Sequence, residues 1–566
     1  MTRNDPLELE VFRHMSGSIV DEIETNLSRT AYSPLIYEYK DYCVAWLTPD
    51  FRLLTQSKGS LPIFLANMGA PVRDAAAIIG QEDLAPGDTF LTNYSPVAGQ
   101  HLNNVITARP VFTDDELVGF IVIRAHWADL GGLVTGSISW DSREIFHEGI
   151  QFRGLRVTRA DRVIPEVLAT IRANTRLPEY VSGDLIAQIA GCRMGELRWN
   201  ERVAKRWSPA EIRDLTELQW RASDRFARSK IDEIPEGTYK AKCLMDDDGV
   251  DGGQPMPVSL SVTVSGDEMA VDLGGLPGRL VAPMNAGRIG GAVSAVRVAY
   301  KSILAPEYPA DEGLFEALTV EIPDDRVLSA TGDAPMGHWY SLLPTVIDLV
   351  LRALGAAVPG KVPAGHHGTM GLFSFFGRRS DGGWWQFIDT HLGGWGGSAQ
   401  VDGGGPFKTL YHGDNRDIPV EVLEARFPLR VHSYGFVPDS AGLGEHRGGF
   451  GTEKLIEILD ECFMESALDR TLDPPWGLAG GLPGKPGDIE VRTAGDQDWV
   501  SRRRATRYRL PRQSLVRVRS AGGGGWGPVS RRTASSWERD QLAGLVTEAK
   551  LETLASTGPS ERSVLR

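Results

Sequence analysis

The residues of this sequence whose type and spacing best suit metal chemistry are two histidines, His101 and His126. The β-rich runs 105–112 and 116–126 predict a hairpin that turns at residues 113–115. A two-residue loop would place the histidines opposite each other, and a four-residue loop would place them diagonally on one face. An odd slip in register or an unmatched bulge would put them on opposite faces. Two imidazoles on one face can form half of a metal site, although each could instead bond only to loop backbone.

Two carboxylates stand where they could complete such a site. Asp41 belongs to the strand-like run IYEYKDYCVAW, and Asp129 follows His126 by three residues in HWADLGG. The glycine pair that ends this motif lets the chain turn sharply under a bound ion or substrate. The metal site is a hypothesis at this point, because widely spaced histidines and aspartates are a weaker signal than paired cysteine motifs.

The elements that must position these residues indicate an α+β fold. Apolar periodicity predicts helices over 7–28, 64–80, 208–234, 288–304 and 340–356, and a second hairpin over 258–264 and 269–273. Ser208, Pro209 and Glu211 predict an N-cap, a first-turn proline and a capping box for the helix that follows them.

The predicted organisation has two unequal parts. An N-terminal mixed α/β domain with the metal-site hairpin is followed by a glycine-rich, β-dominated C-terminal part. The predicted boundaries give a first domain at 1–236, a domain of one hairpin and helices at 237–365, a glycine-rich β domain at 366–527 and a peripheral tail at 528–566.

Composition excludes several classes of protein. The chain has 566 residues, 42% of them apolar, and a formal net charge of −14, which fits a folded protein and argues against a nucleic-acid-binding one. No apolar run approaches the about 18 residues of a membrane span, and the N-terminal residues lack the pattern of a secretion signal. The four cysteines stand singly, so we expect a cytoplasmic protein without disulfides.

Six stretches of the sequence carry a resemblance to a known family. They are TAYSPLIYEYKDYCVAW, GQHLNNVITARPVF, RAHWADLGGLVTGSISWDSREIFHEG, IPVEVLEARFPLRV, GLGEHRGGFGTEK and SAGGGGWGP. Each stretch alone is a weak motif, but in this order they resemble the hydantoinase B/oxoprolinase family over nearly the whole chain.

The resemblance implies a metal site made of an early aspartate, a His-x-x-Asp motif and a histidine that begins His-x-x-Asp-x-Gly-Gly. In this chain these positions are Asp41, His101 and His126, and Asp129 would be a further ligand or a support for His126. Asn104 stands where the family commonly has the aspartate of His-x-x-Asp, so the site would have one negative charge fewer. The expected ion is Zn²⁺ or Mn²⁺.

The resemblance also implies a function. Members are typically subunits of ATP-dependent enzymes, in which a hydantoinase A-type partner binds ATP and phosphorylates an amide or carbonyl oxygen. We therefore expect a hetero-oligomeric subunit that hydrolyses a small cyclic amide such as a hydantoin, oxoproline or a lactam. The alternatives are a subunit of a ketone carboxylase of the acetone or acetophenone type, and a non-catalytic scaffold. The chain lacks a GxxxxGK[ST] phosphate loop, which agrees with ATP binding in the partner.

Further residues receive expected roles under the hydrolytic hypothesis. A metal ion would lower the pKa of a bound water, with Asp129 as the base or as the group that orients His126. Glu148 would be a supporting carboxylate, although a surface or capping role fits its position equally well. His338 and Trp339 are candidate substrate-binding residues, and Tyr340 beside them is a candidate for the lining of the same pocket; the alternative for this segment is packing at a domain junction.

Overall fold

The computed structural model describes residues 6–65, 67–250, 253–413 and 415–556. Within these ranges no helix is both long enough and apolar enough to cross a membrane. The helices of these ranges are Pro6–Thr30 (α1), Pro34–Tyr37 (α2), Gly69–Ile79 (α3), Ser95–Ala98 (α4), Pro165–Ala173 (α5), Pro178–Arg202 (α6), Pro209–Ile231 (α7), Ser294–Leu304 (α8), Leu343–Gly355 (α9), Val420–Arg426 (α10), Ala534–Leu542 (α11) and Glu548–Ser556 (α12).

The strands of the described ranges form four sheets. They are Tyr42–Leu47 (β1), Leu53–Gln56 (β2), Thr89–Thr92 (β3), Asn104–Thr113 (β4), Glu116–His126 (β5), Leu155–Arg159 (β6), Arg162–Val163 (β7), Gly237–Met245 (β8), Met256–Ser265 (β9), Glu268–Asp272 (β10), Leu318–Glu321 (β11), Leu372–Arg378 (β12), Trp384–Thr390 (β13), Leu429–Phe436 (β14), Thr452–Ile458 (β15), Cys462–Ala467 (β16), Asp488–Arg492 (β17), Val500–Ser501 (β18), Arg504–Leu510 (β19) and Leu515–Arg519 (β20). The sheet orders are β2-β1-β5-β4-β3-β6-β7, β11-β10-β9-β8, β13-β12-β16-β19 and β14-β15-β20-β17-β18. The predicted α+β class is confirmed.

The predicted hairpin forms the centre of the first sheet as β4 and β5. Asp114 and Asp115 form its two-residue turn with φ of 50° and 62°, the left-handed backbone that a tight hairpin turn requires. Strand β1 pairs with the other edge of β5, with Tyr42 opposite Ala125. The residue before β1, Asp41, therefore lies beside His126 at the end of β5.

The predicted registers of this hairpin hold only next to the turn. Thr113 lies opposite Glu116, which is the register of the diagonal alternative, but a bulge between Val111 and Phe112 then shifts the pairing by one residue. The register next to the turn would pair His126 with Asn103, and the bulge moves this partner to Asn104; the alternative with His101 directly opposite His126 is therefore wrong. His101 falls in the turn before β4 and approaches His126 from there.

The two faces of the first sheet pack against different parts of the chain. Ile121 and Ile123 share a hydrophobic cluster with Phe12 of α1 and Trp199 of α6. Phe120 and Val122 point to the opposite face and belong to the largest cluster of the chain. Because side chains alternate along a strand, His126 lies on the face of Phe120 and Val122, away from α1 and α6.

The predicted start of the long helix α7 is confirmed. Ser208 accepts a hydrogen bond from the backbone N–H of Glu211, and the Glu211 carboxylate accepts one from the backbone N–H of Ser208. Together the two bonds satisfy two donors that the first turn of a helix would otherwise leave without partners.

The glycine clusters of the C-terminal part let backbones pack at distances that exclude side chains. A Cβ atom on Gly394 would lie 2.0 Å from the carbonyl oxygen of Gly449, and one on Gly449 would lie 2.0 Å from that of Gly404. These contacts explain why glycine is frequent here.

The predicted domain boundaries stay predictions. The largest hydrophobic cluster contains residues from Leu35 to Trp476 and so includes side chains of all three predicted domains. In the predicted tail, α11 and α12 lie at 534–556, and residues 557–566 are outside the described ranges.

Candidate active site

A cavity on the His126 face of the first sheet collects most of the predicted site residues. Asp41, His101, Asn104, His126 and Trp339 all line it, and it encloses about 470 Å³ of non-protein space, open solvent included. The other lining residues are mainly apolar or aromatic: Leu35, Tyr39, Leu61, Ile63, Phe64, Ile138, Tyr340, Met370, Leu372, Ile388, Thr390, Tyr411 and His412.

The rings of His101 and His126 form a buried pair in the cavity wall. Their centroids are 4.9 Å apart at an interplanar angle of 74°, and each residue is 5% exposed. Burial, together with the neighbouring His126, lowers the pKa of His101 well below its usual value, and burial lowers the pKa of His126 to about 4. Both Nδ1 atoms are buried without a hydrogen-bond partner in the described ranges. The pair is therefore neutral, which is the form that binds metal ions.

Asp41 is held beside this pair by the backbone. The N–H of His126 donates a hydrogen bond to the carbonyl oxygen of Asp41 at 3.0 Å, and the N–H of Asp41 donates to the carbonyl oxygen of Leu35 at 2.9 Å. Burial alone raises the pKa of the Asp41 carboxyl to about 7. A cation in the cavity would favour its ionised form.

The amide of Asn104 has one orientation. Its Nδ2 donates to Oε1 of Gln100 at 3.0 Å, and Nη1 of Arg124 donates to the same oxygen at 3.1 Å. Because a guanidinium group can only donate, the shared Gln100 atom must be the oxygen, and Asn104 must turn its nitrogen towards it. Oδ1 of Asn104 is then buried without a partner among the described residues.

The structure does not bring Asp129 to the imidazole pair. Its Oδ1 accepts from the N–H of Gly136 at 2.9 Å, its Oδ2 accepts from the N–H of Arg176 at 2.7 Å, and it forms an ion pair with the Arg176 guanidinium at 3.1 Å. It makes no hydrogen bond to His126 and is not part of the cavity wall. These bonds make Asp129 an anchor of the glycine-rich loop after β5.

Glu148 lies behind the cavity wall. Its Oε1 accepts from the N–H groups of Met336 and Gly337, both at 2.7 Å, and its Oε2 is buried with no partner within the described ranges. Burial raises its pKa to about 8. Since the backbone of Gly337 contacts His101 and the next residues line the cavity, Glu148 fixes a segment of the wall.

Of the two predicted substrate-binding residues, Trp339 lines the cavity and His338 does not. Trp339 lines the cavity with its ring 5.9 Å from that of His101. His338 instead stacks on Trp140 at 3.9 Å, and its Nδ1 lies 2.6 Å from the hydroxyl of Tyr340. His338 thus contacts Tyr340, which does line the cavity.

Sequence reasoning missed three residues of the wall that carry polar rings: Tyr39, Tyr411 and His412. Burial, with nearby Lys408, His367 and His126, lowers the pKa of His412 well below its usual value. These three share no spacing with the histidine pair, whereas Tyr340, which was considered together with His338 and Trp339, does line the cavity.

Three buried charges and the partly exposed Asp417 support the wall from outside. Nζ of Lys408 lies 3.2 Å from Asp389 and 2.5 Å from Asp417, and Nζ of Lys454 lies 2.9 Å and 3.1 Å from the same two carboxylates. Lys408 also donates to the carbonyl oxygen of Thr390, which lines the cavity. The cluster thereby fixes the end of β13 in the cavity wall.

Comparison of the whole sequence with models of known families identifies the family of this chain. A family model for hydantoinase B/oxoprolinase matches residues 5–529. The chain belongs to the hydantoinase B/oxoprolinase family. The resemblance carried by the six stretches is thereby confirmed.

Two relatives align with nearly the whole chain. It is 27% identical over 566 residues to the beta chain of the caprolactamase of Pseudomonas jessenii, and the match covers 97% of this chain and 95% of the relative. It is 26% identical over 563 residues to the B-type chain of a candidate D-/L-hydantoinase of Pseudomonas sp. (strain NS671), covering 96% and 94%. This chain is therefore a hydantoinase B-type subunit.

Two solved structures share the fold. The crystal structure of the ATP-dependent caprolactamase from Pseudomonas jessenii aligns with a TM-score of 0.89 at 24% identity over 97% of this chain and 96% of that one. A nucleotide-free structure of acetone carboxylase aligns with a TM-score of 0.87 at 18% identity, over 96% and 79%. The same fold thus occurs in a caprolactamase and in an acetone carboxylase.

The donor atoms of the cavity suit the divalent ion that the resemblance implies. Two neutral imidazoles, an unpartnered amide oxygen and a buried carboxyl are ligands that Zn²⁺ and Mn²⁺ accept. In the described ranges, however, no group of three or more His, Cys, Asp or Glu side chains is already close enough to hold an ion. The donor atoms of these residues are therefore suitable ligands for such an ion, and His101 and His126 are the two whose rings already lie close together.

Proposed function

We propose that this hydantoinase B-type chain is the hydrolytic subunit of a heteromeric, ATP-dependent enzyme that opens a cyclic amide. The observation that carries the proposal is the buried pair of neutral imidazoles, His101 and His126, beside Asp41 in a largely apolar cavity. The full-length similarity to one chain of a caprolactamase supports it.

The partner is a hydantoinase A-type subunit that binds ATP. An amide is a poor electrophile, and phosphorylation of its oxygen makes its carbon reactive and supplies a leaving group. Both relatives are named as single subunits of their enzymes, which supports an enzyme with more than one kind of chain. This chain would then bind the activated ring and add water to it.

The residues of this chain divide into ligands and supports. His101, His126, Asp41 and the oxygen of Asn104 would hold a Zn²⁺ or Mn²⁺ ion, which when bound supplies a hydroxide at neutral pH. The aromatic wall would hold the ring against bulk water. Asp129 and Glu148 would act through the loops that they anchor, since neither lines the cavity.

Reconstitution with the ATP-binding partner tests this proposal. Purified chain and partner are incubated with ATP and a hydantoin, 5-oxoproline or a lactam, and ring-opened product and ADP are measured together. We expect product and ADP in equal amounts and neither chain active alone. ATP-dependent incorporation of labelled bicarbonate into a ketone, with no ring opening, would overturn it.

That outcome defines the second candidate, a ketone carboxylase subunit. The shared fold with acetone carboxylase favours it, because the same cavity would accept a small phosphorylated enol. A scaffold without catalytic function is the third possibility, and the metal content of the purified chain tests it.

A further inference from the structure

Six buried polar atoms of the cavity wall have no hydrogen-bond partner within the described ranges. They are Nδ1 of His101, Oδ1 of Asn104, Nδ1 of His126, Nε1 of Trp339, Oη of Tyr411 and Nδ1 of His412. A buried polar group without a partner is unfavourable, and native proteins leave few of them. Such a set on one wall indicates that the wall contacts a ligand.

Two of these atoms are hydrogen-bond donors that do not suit a metal ion. The indole nitrogen of Trp339 carries a hydrogen and can only donate, and the phenol hydroxyl of Tyr411 keeps its proton at neutral pH. Oγ1 of Thr409 is near this hydroxyl but makes no hydrogen bond with it. Both donors are therefore left for an acceptor atom of a ligand.

The three tyrosines of the wall differ in what their hydroxyls contact. The hydroxyl of Tyr39 lies 2.5 Å from Oγ1 of Thr390, and that of Tyr340 lies 2.6 Å from Nδ1 of His338. Only Tyr411 has a hydroxyl without a partner among the described residues. The fold thus satisfies two of the three hydroxyls inside the protein and leaves the third for a ligand.

Backbone hydrogen bonds hold both donors in place. The N–H of Trp339 donates to the carbonyl oxygen of Met336 at 2.9 Å, and the N–H of His412, which follows Tyr411, donates to that of Thr409 at 2.9 Å. Trp339 is 3% exposed and Tyr411 is 1% exposed. Donors that are already fixed do not have to be ordered when a ligand binds, so they can select its orientation.

A cyclic amide supplies the acceptor that these donors lack, because its carbonyl oxygen has two lone pairs. We infer that the Tyr411 hydroxyl and the Trp339 indole N–H both donate to this oxygen and thereby orient the bound ring. The ring of Trp339 lies 5.9 Å from that of His101, so an oxygen held there lies beside the histidine pair. The inference rests on the proposed function and assigns to it two groups that hold the substrate.

Calorimetric titration of the full chain with 2-piperidone and piperidine-2-thione tests the inference. The two probes share one ring, and the sulfur of the thione accepts hydrogen bonds more weakly than the oxygen. Tyr411→Phe removes only the hydroxyl, so we expect the ratio of lactam affinity to thione affinity to fall about threefold to tenfold, as for one neutral hydrogen bond. An unchanged ratio, or absence of lactam binding by the wild type, would overturn the inference.

Two further variants complete the binding comparison. Tyr340→Phe is the matched control, because His338 already engages the hydroxyl that it removes, and we expect the wild-type ratio. An equal fall of the ratio in Tyr340→Phe and Tyr411→Phe would overturn the inference, since any change in the wall would then have the same effect. Trp339→Phe removes the second donor and should also lower the ratio, and an unchanged ratio would overturn the assignment of Trp339.

Infrared difference spectra of 2-piperidone labelled with ¹³C at the carbonyl give a readout that a purely structural role would not move. Hydrogen bonds to a carbonyl lower its stretching frequency. We therefore expect the band of the bound lactam to move to higher frequency in Tyr411→Phe and to stay in place in Tyr340→Phe. The same frequency in the wild type and Tyr411→Phe would overturn the inference.

The wild type alone decides if Tyr411→Phe does not fold. The spectrum of the bound lactam is then recorded after treatment of the chain with a chelator, so that a metal ion does not affect the carbonyl. We expect a frequency well below that of the lactam in an alkane solvent, where it has no donors. A frequency equal to the alkane value would overturn the inference.

Turnover by the assembled complex separates this inference from the proposed function. If the wild-type complex opens the lactam with ATP and Tyr411→Phe has the same kcat and KM, the inference is overturned and the proposed function stands. If the affinity ratios and infrared shifts are as expected but no cyclic amide is opened with ATP, the proposed function is overturned and the assignment of the two donors stands.

Discussion

Nδ2 of Asn104 and Oε1 of Gln100 lie 3.0 Å apart, and this hydrogen bond decides which atom of Asn104 is left for the cavity. Arg124 fixes the polarity of the bond, because it donates to the same oxygen. A residue that does not line the cavity thus orients one that does. The hydrogen bonds among Arg124, Gln100 and Asn104 therefore fix the direction of the Asn104 side-chain oxygen.

Substitution of Gln100 tests this network. Gln100→Leu leaves Asn104 and Arg124 each short of an acceptor in a buried place, at a cost of about 3 kcal/mol in the free energy of unfolding. Gln100→Glu keeps the acceptor and adds a counter-charge for Arg124, so we expect it to lose less stability. Urea unfolding of the two variants and the wild type measures the difference, and equal stability of the leucine variant would contradict the network.

Metal analysis tests the ligand set. We expect about one equivalent of Zn²⁺ or Mn²⁺ per purified chain, and loss of most of it in His101→Ala and His126→Ala, because each removes one of the few nitrogen ligands. His14→Ala is the matched control, since its side chain is 83% exposed on α1. Asn104→Asp should bind the ion more tightly by restoring a negative charge. A metal-free wild type would favour the scaffold.

Asp184 should make stability depend on pH. Its carboxyl accepts from the N–H groups of Tyr32 and Ser33, and burial raises its pKa to about 7, against about 4 in an unfolded chain. Between these values the folded chain holds a proton that the unfolded chain has lost. The free energy of unfolding therefore falls as the pH rises through this window, by up to ~4 kcal/mol.

Asp184→Asn isolates that contribution, because it keeps an oxygen acceptor and cannot ionise. We expect the stability of the variant relative to the wild type to increase between about pH 4 and about pH 7. Urea unfolding of both proteins across this range measures the difference, in which the other titrating groups cancel. Parallel pH profiles would show that Asp184 does not titrate there.

Lys454 should be important for stability through the four-charge cluster. Lys454→Met leaves Asp389 and Asp417 to share Lys408, and removal of one member of a buried ion pair typically costs about 3–5 kcal/mol. Lys58→Met is the control, because the Lys58 side chain is 88% exposed. Thermal unfolding measures the stability of both variants. A similar loss of stability in the two would mean that the cluster contributes little to the stability of the fold.

Local patterns predicted much of the fold. The hairpin of β4 and β5, the cap of α7 and the helix α1 follow from apolar spacing and from residues close in sequence. Helix α6 was not predicted, because it contains three glycines, Gly183, Gly191 and Gly195, which lower helix propensity. A Cβ on Gly195 would lie 2.6 Å from Ile23 of α1, so tertiary packing explains these glycines.

The sequence by itself determined the family, the α+β class and the pair of histidines, because each depends on residue types at fixed local spacing. Only the tertiary structure decided which residues meet the pair. The position of the turn and a one-residue bulge place Asn104 opposite His126, hydrogen bonds to its own loop hold Asp129 away from the pair, and Tyr39, Tyr411 and His412 come from distant segments of the chain. Such contacts depend on how sheets pack through space, and no spacing along the chain encodes them.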